Sequence, residues 1–132
     1  MADSKPPYAD DVDHQRWATF DCYGTLVDWN AGIRAELDRL FGAEPGERLL
    51  PRYHAVEPHV QDEHPAWSYR QVMAAVLAEL ASEAGVMLPD AEGDSFAQSL
   101  PTWPVFAEVP DALAEAHRRA GNCLLCRTAT AT

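Results

Sequence analysis

The segment Thr19-Phe20-Asp21-Cys22-Tyr23-Gly24-Thr25-Leu26-Val27-Asp28-Trp29 carries the clearest chemistry in the chain. The apolar run at 17–20 reads as a short buried strand that ends on a carboxylate, Asp21. Gly24 then lets the backbone turn sharply. At the carboxyl end of a strand in an open α/β sheet, such a side chain faces the crevice where ligands sit. An aspartate there can act as a nucleophile, forming an ester that water later hydrolyses. The Thr25 hydroxyl and the N–H groups of the turn, beginning at Cys22 and Tyr23, are placed to orient it. The same spacing also fits a strand that closes in an ordinary Asp-x-x-Gly turn.

The remaining reactive side chains form weaker patterns. Cys22, Cys123 and Cys126 are too few and too unevenly placed for a disulfide framework. Cys123-x-x-Cys126 has redox or zinc spacing, but no second pair accompanies it and no helix-forming sequence follows. His54, His59 and His64 recur every five residues, which matches neither i, i+4 ligation nor His-Glu-x-x-His, so they read as solvated side chains. No metal site and no cofactor is expected.

Composition narrows the class. With 132 residues, 47% hydrophobic and 23% charged, the chain reads as one soluble globular domain. A net charge of −11 repels nucleic acid and anionic membranes, so neither is an expected partner. The same charge means that a small anionic substrate must be held by local arginine and backbone N–H groups. No apolar run approaches the roughly 20 residues that span a bilayer, and the start lacks a signal-peptide core. The expected location is the cytoplasm.

The elements that must position Asp21 are mostly helical. Residues 1–14 are polar and proline-bearing, a flexible lead-in. Helical spacing over 29–41 sets Ile33, Leu37, Leu40 and Phe41 on one face, with Asn30 as cap. Gly42 to Gly46 ends that helix, and a second runs over 47–61 with Leu49, Leu50, Tyr53 and Val56 on one side, limited by Pro51 and Pro58. The third, 68–84, has the stripe Val72, Met73, Val76, Leu77 and Leu80, with Gly85 as its C-terminal stop. A short helix over 94–100 leads to the return connection Leu100-Pro101-Thr102-Trp103-Pro104-Val105-Phe106. Pro110 opens a helix to Ala120, Gly121 follows it, and 123–126 reads as a second strand.

Phe20-Asp21-Cys22-Tyr23-Gly24-Thr25-Leu26-Val27-Asp28-Trp29 resembles the first motif of the haloacid dehalogenase superfamily, and within it the type II 2-haloacid dehalogenases. Leu100-Pro101-Thr102-Trp103-Pro104 is similar to the return from the cap into the core in the same family. The resemblance implies an α/β fold: a partial Rossmann-type core from 15–28 and 103–132, with an inserted helical cap at 29–102. It implies attack by Asp21 on the carbon bearing halogen, so that a 2-haloacid becomes a 2-hydroxyacid. Thr25 belongs to the catalytic set, and Cys22, Tyr23 and Arg52 to the substrate site. Arg52 lies about thirty residues after Asp21, where relatives carry a cap arginine that grips the carboxylate or halide. A solvated helix-face arginine fits that position equally well.

Phosphatases of the superfamily carry a second aspartate where this chain has Tyr23. That carboxylate protonates an alkoxide leaving group and helps hold Mg²⁺; a halide needs no proton. Tyr23 therefore favours carbon–halogen cleavage over the phosphatase alternative. The second family motif, Leu-Ser-Asn-x-Asp, is missing after the 123–126 strand, where the chain reads Arg127-Thr128-Ala129-Thr130-Ala131-Thr132. Written from Cys126 with one permitted choice of codons, TGT CGA ACG GCG ACC GCG ACC, and read two nucleotides later, this tail becomes Ser-Asn-Gly-Asp-Arg-Asp. The expectation is a truncated, frame-shifted copy that lacks the residues which activate water, and so is inactive or barely active. Its open sheet edges favour association, a homodimer included. A non-catalytic interaction module is the remaining alternative.

Overall fold

The computed structural model describes residues 16–125. The flexible segment expected at 1–14 and the altered second motif at 127–132 lie outside the described residues, as does Cys126, so the Cys-x-x-Cys spacing is not tested.

Strand β1 (Arg16–Phe20) opens the described chain, and five helices follow: α1 (Trp29–Phe41), α2 (Ala43–Glu63), α3 (Tyr69–Ala84), α4 (Glu92–Ser99) and α5 (Val109–Ala120). One 3₁₀ turn, Leu100–Thr102, follows α4, and strand β2 (Gly121–Leu125) comes last. β1 and β2 pair in parallel, with Arg16 opposite Gly121 and Phe20 opposite Leu125.

Each helix has a local cause. Asp28, not Asn30, caps α1: its Oδ1 accepts from the Ala31 N–H at 3.1 Å. Asn30 is instead inside the first turn, where its Oδ1 meets His54 Nε2 at 2.7 Å. Gly42 breaks the chain at φ +90°, and α2 begins at once. Helix α2 runs through both prolines, so its limits lie outside the expected 47–61. Each proline removes one backbone donor, but the side chains Tyr53, Val56, Glu57 and Val60 recur at helical spacing and bury one face. Helix α3 starts with a reciprocal capping box between Ser68 and Gln71 and ends at Gly85 in the left-handed region, φ +66°.

The core lies between helices. Ile33 and Leu37 of α1, Tyr53, Val56 and Val60 of α2, the Val72–Leu80 stripe of α3, Phe96 of α4 and Trp103 make one buried cluster. Among the described side chains, none of β1 belongs to it, and Trp17 on that strand is 59% exposed. Helix α5 packs against both strands.

The expected fold class, an α/β chain with a Rossmann-type core and an inserted cap, is therefore corrected. The described residues form a mostly helical fold, and two five-residue strands are all their β-structure besides isolated bridges. The physical reason is where apolar area is buried. Residues 29–102, expected as an inserted cap, hold all of this hydrophobic cluster except Trp103 and constitute the body of the molecule.

Candidate functional site

Asp21 follows β1 directly and its side chain is exposed to solvent. Two local donors fix its plane: the Cys22 N–H reaches Oδ1 at 2.8 Å and the Thr25 hydroxyl reaches Oδ2 at 2.9 Å. The turn that supplies them is tightly wound. The Cys22 carbonyl accepts from the N–H groups of Thr25, Leu26 and Val27 at 3.2, 2.8 and 3.0 Å. Gly24 stands at φ +81°, a conformation that side-chain-bearing residues rarely adopt, so the turn depends on glycine. The return connection anchors its far side. Asp28 N–H donates to the Pro104 carbonyl at 2.8 Å, and Val27 forms an antiparallel bridge with Val105.

Tyr23 points from this turn onto the helical body. Its ring stacks on Tyr69 at the first residue of α3, with centroids 5.8 Å apart and planes 25° from parallel. The Cys22 thiol is free and half-buried. Asp21, Thr25, Cys22 and Tyr23 are thus brought together by one turn.

Arg52 is not brought to them. Its guanidinium makes a two-pronged pair with Glu83, with Nε 2.8 Å from Oε2, and lies 3.8 Å from Glu79. Glu83 lies fourteen residues beyond Tyr69 on α3, a distance of about 21 Å along a helix axis. The pairing holds the Arg52 guanidinium above its ordinary pKa and the Glu83 carboxyl below its own, in each case chiefly through the shared hydrogen bonds. Arg52 lines a cavity of about 460 Å³ with Arg48, Leu49, Phe41 and Val86, and Asp21 does not line it. The expectation that Arg52 faces Asp21 is therefore corrected: its charge is committed to the α2–α3 contact.

The Tyr23–Tyr69 stack leads to side chains that the motif did not identify. Tyr69 Oη accepts from Trp29 Nε1 at 3.1 Å, and Glu57 of α2 is buried near that hydroxyl. Glu57 is the one charged residue buried among those described, 4% exposed, and its Oε1 has no hydrogen-bond partner. Burial pushes its carboxyl up to about 7, an effect that the nearby Tyr69 hydroxyl partly offsets. Tyr53 is fully buried beside it; its hydroxyl is also without a partner, and burial first, then the neighbouring Tyr69 and Glu57, raises its pKa. His54 is half-buried rather than solvated, edge-on to Trp29 with centroids 4.9 Å apart, and burial lowers its pKa. His64 stacks on Trp67 at 3.6 Å, and His59 is exposed as expected.

A signal for Glu57 was present. It falls on the apolar stripe Tyr53, Val56, Val60 of its helix, where a charged residue is anomalous. Among the described residues, no group of three or more His, Cys, Asp and Glu side chains converges as a metal set. Also among them, no helix is long and apolar enough to cross a membrane. The chain matches no family model and no curated protein.

Proposed function

We propose that Asp21 is the nucleophile of a cytoplasmic hydrolase of the 2-haloacid dehalogenase type, acting on small 2-haloacids. The observation that carries this reading is the exposed Asp21 carboxylate, held by the Cys22 N–H and the Thr25 hydroxyl at the end of a strand. Those donors reduce the orientational freedom that an unrestrained carboxylate would lose on reaction. One Asp21 oxygen bonds to the carbon bearing halogen from the side opposite the halogen. The halide departs with the electron pair, and configuration inverts. Water then adds to the ester carbonyl of Asp21, releasing the 2-hydroxyacid and a proton and restoring the carboxylate; this second step is proposed to be slow or absent, as the altered second motif implies.

Position 23 supports the choice between reactions. A phosphoryl-transfer enzyme would need an acid there for an alkoxide. Tyr23 instead lays its ring on Tyr69, and a halide leaves without a proton.

Capture and hydrolysis are separable in the test. The chain is incubated with 2-chloropropionate, free halide is followed, and peptides are weighed after digestion. The expected result is at least one equivalent of halide with a carboxyethyl ester on the Asp21 peptide; turnover beyond one equivalent reports deacylation. No halide and no adduct on Asp21 would exclude the reading, and phosphate release from a phosphomonoester would replace it with the phosphatase alternative.

A further inference from the structure

Two of the four large hydrophobic side chains exposed among the described residues are neighbours, Val86 and Met87, so they form a patch and not a scatter. The backbone fixes them there. Gly85 turns the chain at φ +66°; its N–H reaches the Ser82 carbonyl at 3.1 Å, and the Val86 N–H reaches the Ala81 carbonyl at 2.9 Å. This pair of bonds is a helix stop that sets Val86 beside the end of α3. Leu88 packs against the core, and Met87 between them stands 96% exposed.

Two hollows meet at Val86, which lines both. The cavity of about 460 Å³ is walled by Phe41, Pro45 and Leu49 and carries Arg48 and Arg52. The second, of about 360 Å³, is walled by Leu77, Ala78, Ala81 and Leu88 and carries Asp90. Arg52 is bound by Glu83. Arg48 is held only by Glu44 in an exposed pair one helical turn apart, and such pairs are weak and readily exchanged. Among the described residues Asp90 takes part in no ion pair. A projecting apolar side chain beside two apolar-walled hollows, one cationic and one acidic, meets the condition for a two-fold self-contact. In such a contact the same patch must offer both members of every pair.

We infer that this face is a docking surface for a second copy of the chain, with Met87 as the knob and Arg48 paired with the partner subunit's Asp90 in both directions. A two-fold axis beside Val86 lays the arginine-bearing hollow of each copy over the aspartate-bearing hollow of the other, and each Met87 enters the hollow that faces it. The unbranched, flexible methionine side chain suits an irregular cavity. A net charge of −11 on each copy opposes association at long range, so the contact depends on a local apolar and charge match of this kind. The face lies at the Glu83 end of α3, away from Tyr69, so it is distinct from the sheet edges and independent of the chemistry assigned to Asp21.

The experiment is sedimentation equilibrium of the full chain from micromolar to millimolar concentration. Wild type is expected to pass from monomer to dimer. Met87→Glu should weaken dimerisation by at least about tenfold, and because Met87 is exposed, its thermal unfolding midpoint should match wild type. Arg48→Asp and Asp90→Arg should each weaken the dimer severalfold. The double variant, which has the net charge of wild type, should recover it. In the same concentration series the ε-methyl resonance of Met87 should move while that of the buried Met73 stays fixed. A chain that remains monomeric throughout overturns the proposal and leaves the face to another occupant, a segment of this chain or a different protein. A dimer that Met87→Glu leaves intact also overturns it, including one that Trp17→Glu on β1 dissolves instead, as does a double variant no better than the single ones.

Discussion

An aspartate held by one backbone and one hydroxyl donor at an exposed strand end is oriented without being buried, which is what attack on a small substrate requires. Asp21→Asn keeps the Cys22 N–H contact on Oδ1, reverses the Thr25 contact so that Nδ2 donates to the hydroxyl, and removes the anion. Halide release should drop by more than about a thousandfold, the scale on which losing a nucleophile registers. Unaltered release, with deamidation excluded by mass, would take Asp21 out of the role. Thr25→Val keeps the shape and deletes one donor, so a loss of about tenfold is expected, consistent with one modest hydrogen bond. Arg52 behaves differently. Its charge is absorbed by Glu83 and Glu79, so Arg52→Ala should leave KM for haloacid unchanged; a large rise in KM would restore it to the substrate site. The contrast explains what residue types alone reveal. Cys22, Tyr23 and Thr25 share one turn with Asp21, so their proximity was legible in the sequence. Arg52 depended on which face of a long helix it occupies, and Glu83, thirty-one residues away, decided that.

At the scale of elements, the helices were legible wherever caps and apolar period agreed. Helix α3 stops at Gly85 as the sequence implies, the Ser68–Gln71 box closes its start, and Ser68→Ala should lower stability by about 1 kcal/mol, measured by denaturant unfolding. Helix α2 was misjudged because Gly46 and Pro51 read as punctuation. Gly46 is buried against Asp38 of α1, where an added Cβ would lie 2.1 Å from Oδ1, so its glycine serves close helix approach rather than a break. Gly32 of α1 makes the same point and offers a test. Its Cβ would fall 2.2 Å from the Trp103 ring. Helix propensity alone favours Gly32→Ala by about 1 kcal/mol, whereas overpacking a filled site costs about 1–3 kcal/mol. The Trp103 ring is pinned by Ser99 through its Nε1 at 2.9 Å and is 7% exposed, so it cannot swing clear. The overpacking term should win, and Gly32→Ala should unfold at lower denaturant concentration; an equal or higher midpoint would show that Trp103 relaxes.

At the scale of the whole molecule, stability resides in α1 to α4, and the Asp21 turn is attached to that body through Tyr23 on Tyr69 and through the Val27–Val105 bridge. The local strand signal at 17–20 was readable, but it does not specify how many strands surround it, and that number separates an α/β core from the mostly helical arrangement observed. The same helical body carries the molecule's pH sensitivity. Glu57 has its carboxyl raised from 4.5 to about 7 by burial. The folded chain therefore keeps a proton that the unfolded chain releases as pH rises from about 4.5 to about 7. The stability from that retained proton is fully present below the lower value and is lost as pH passes through the upper one, an effect of about 3 kcal/mol from the shift alone. Glu57→Gln removes the titration while keeping the shape. Its stability relative to wild type should therefore rise between about pH 4.5 and about pH 7 and stay level above that. Urea unfolding of both proteins across this range measures the difference directly. Because every other titrating group is shared, a difference that does not change with pH would mean that Glu57 is hydrated in solution and carries no buried proton.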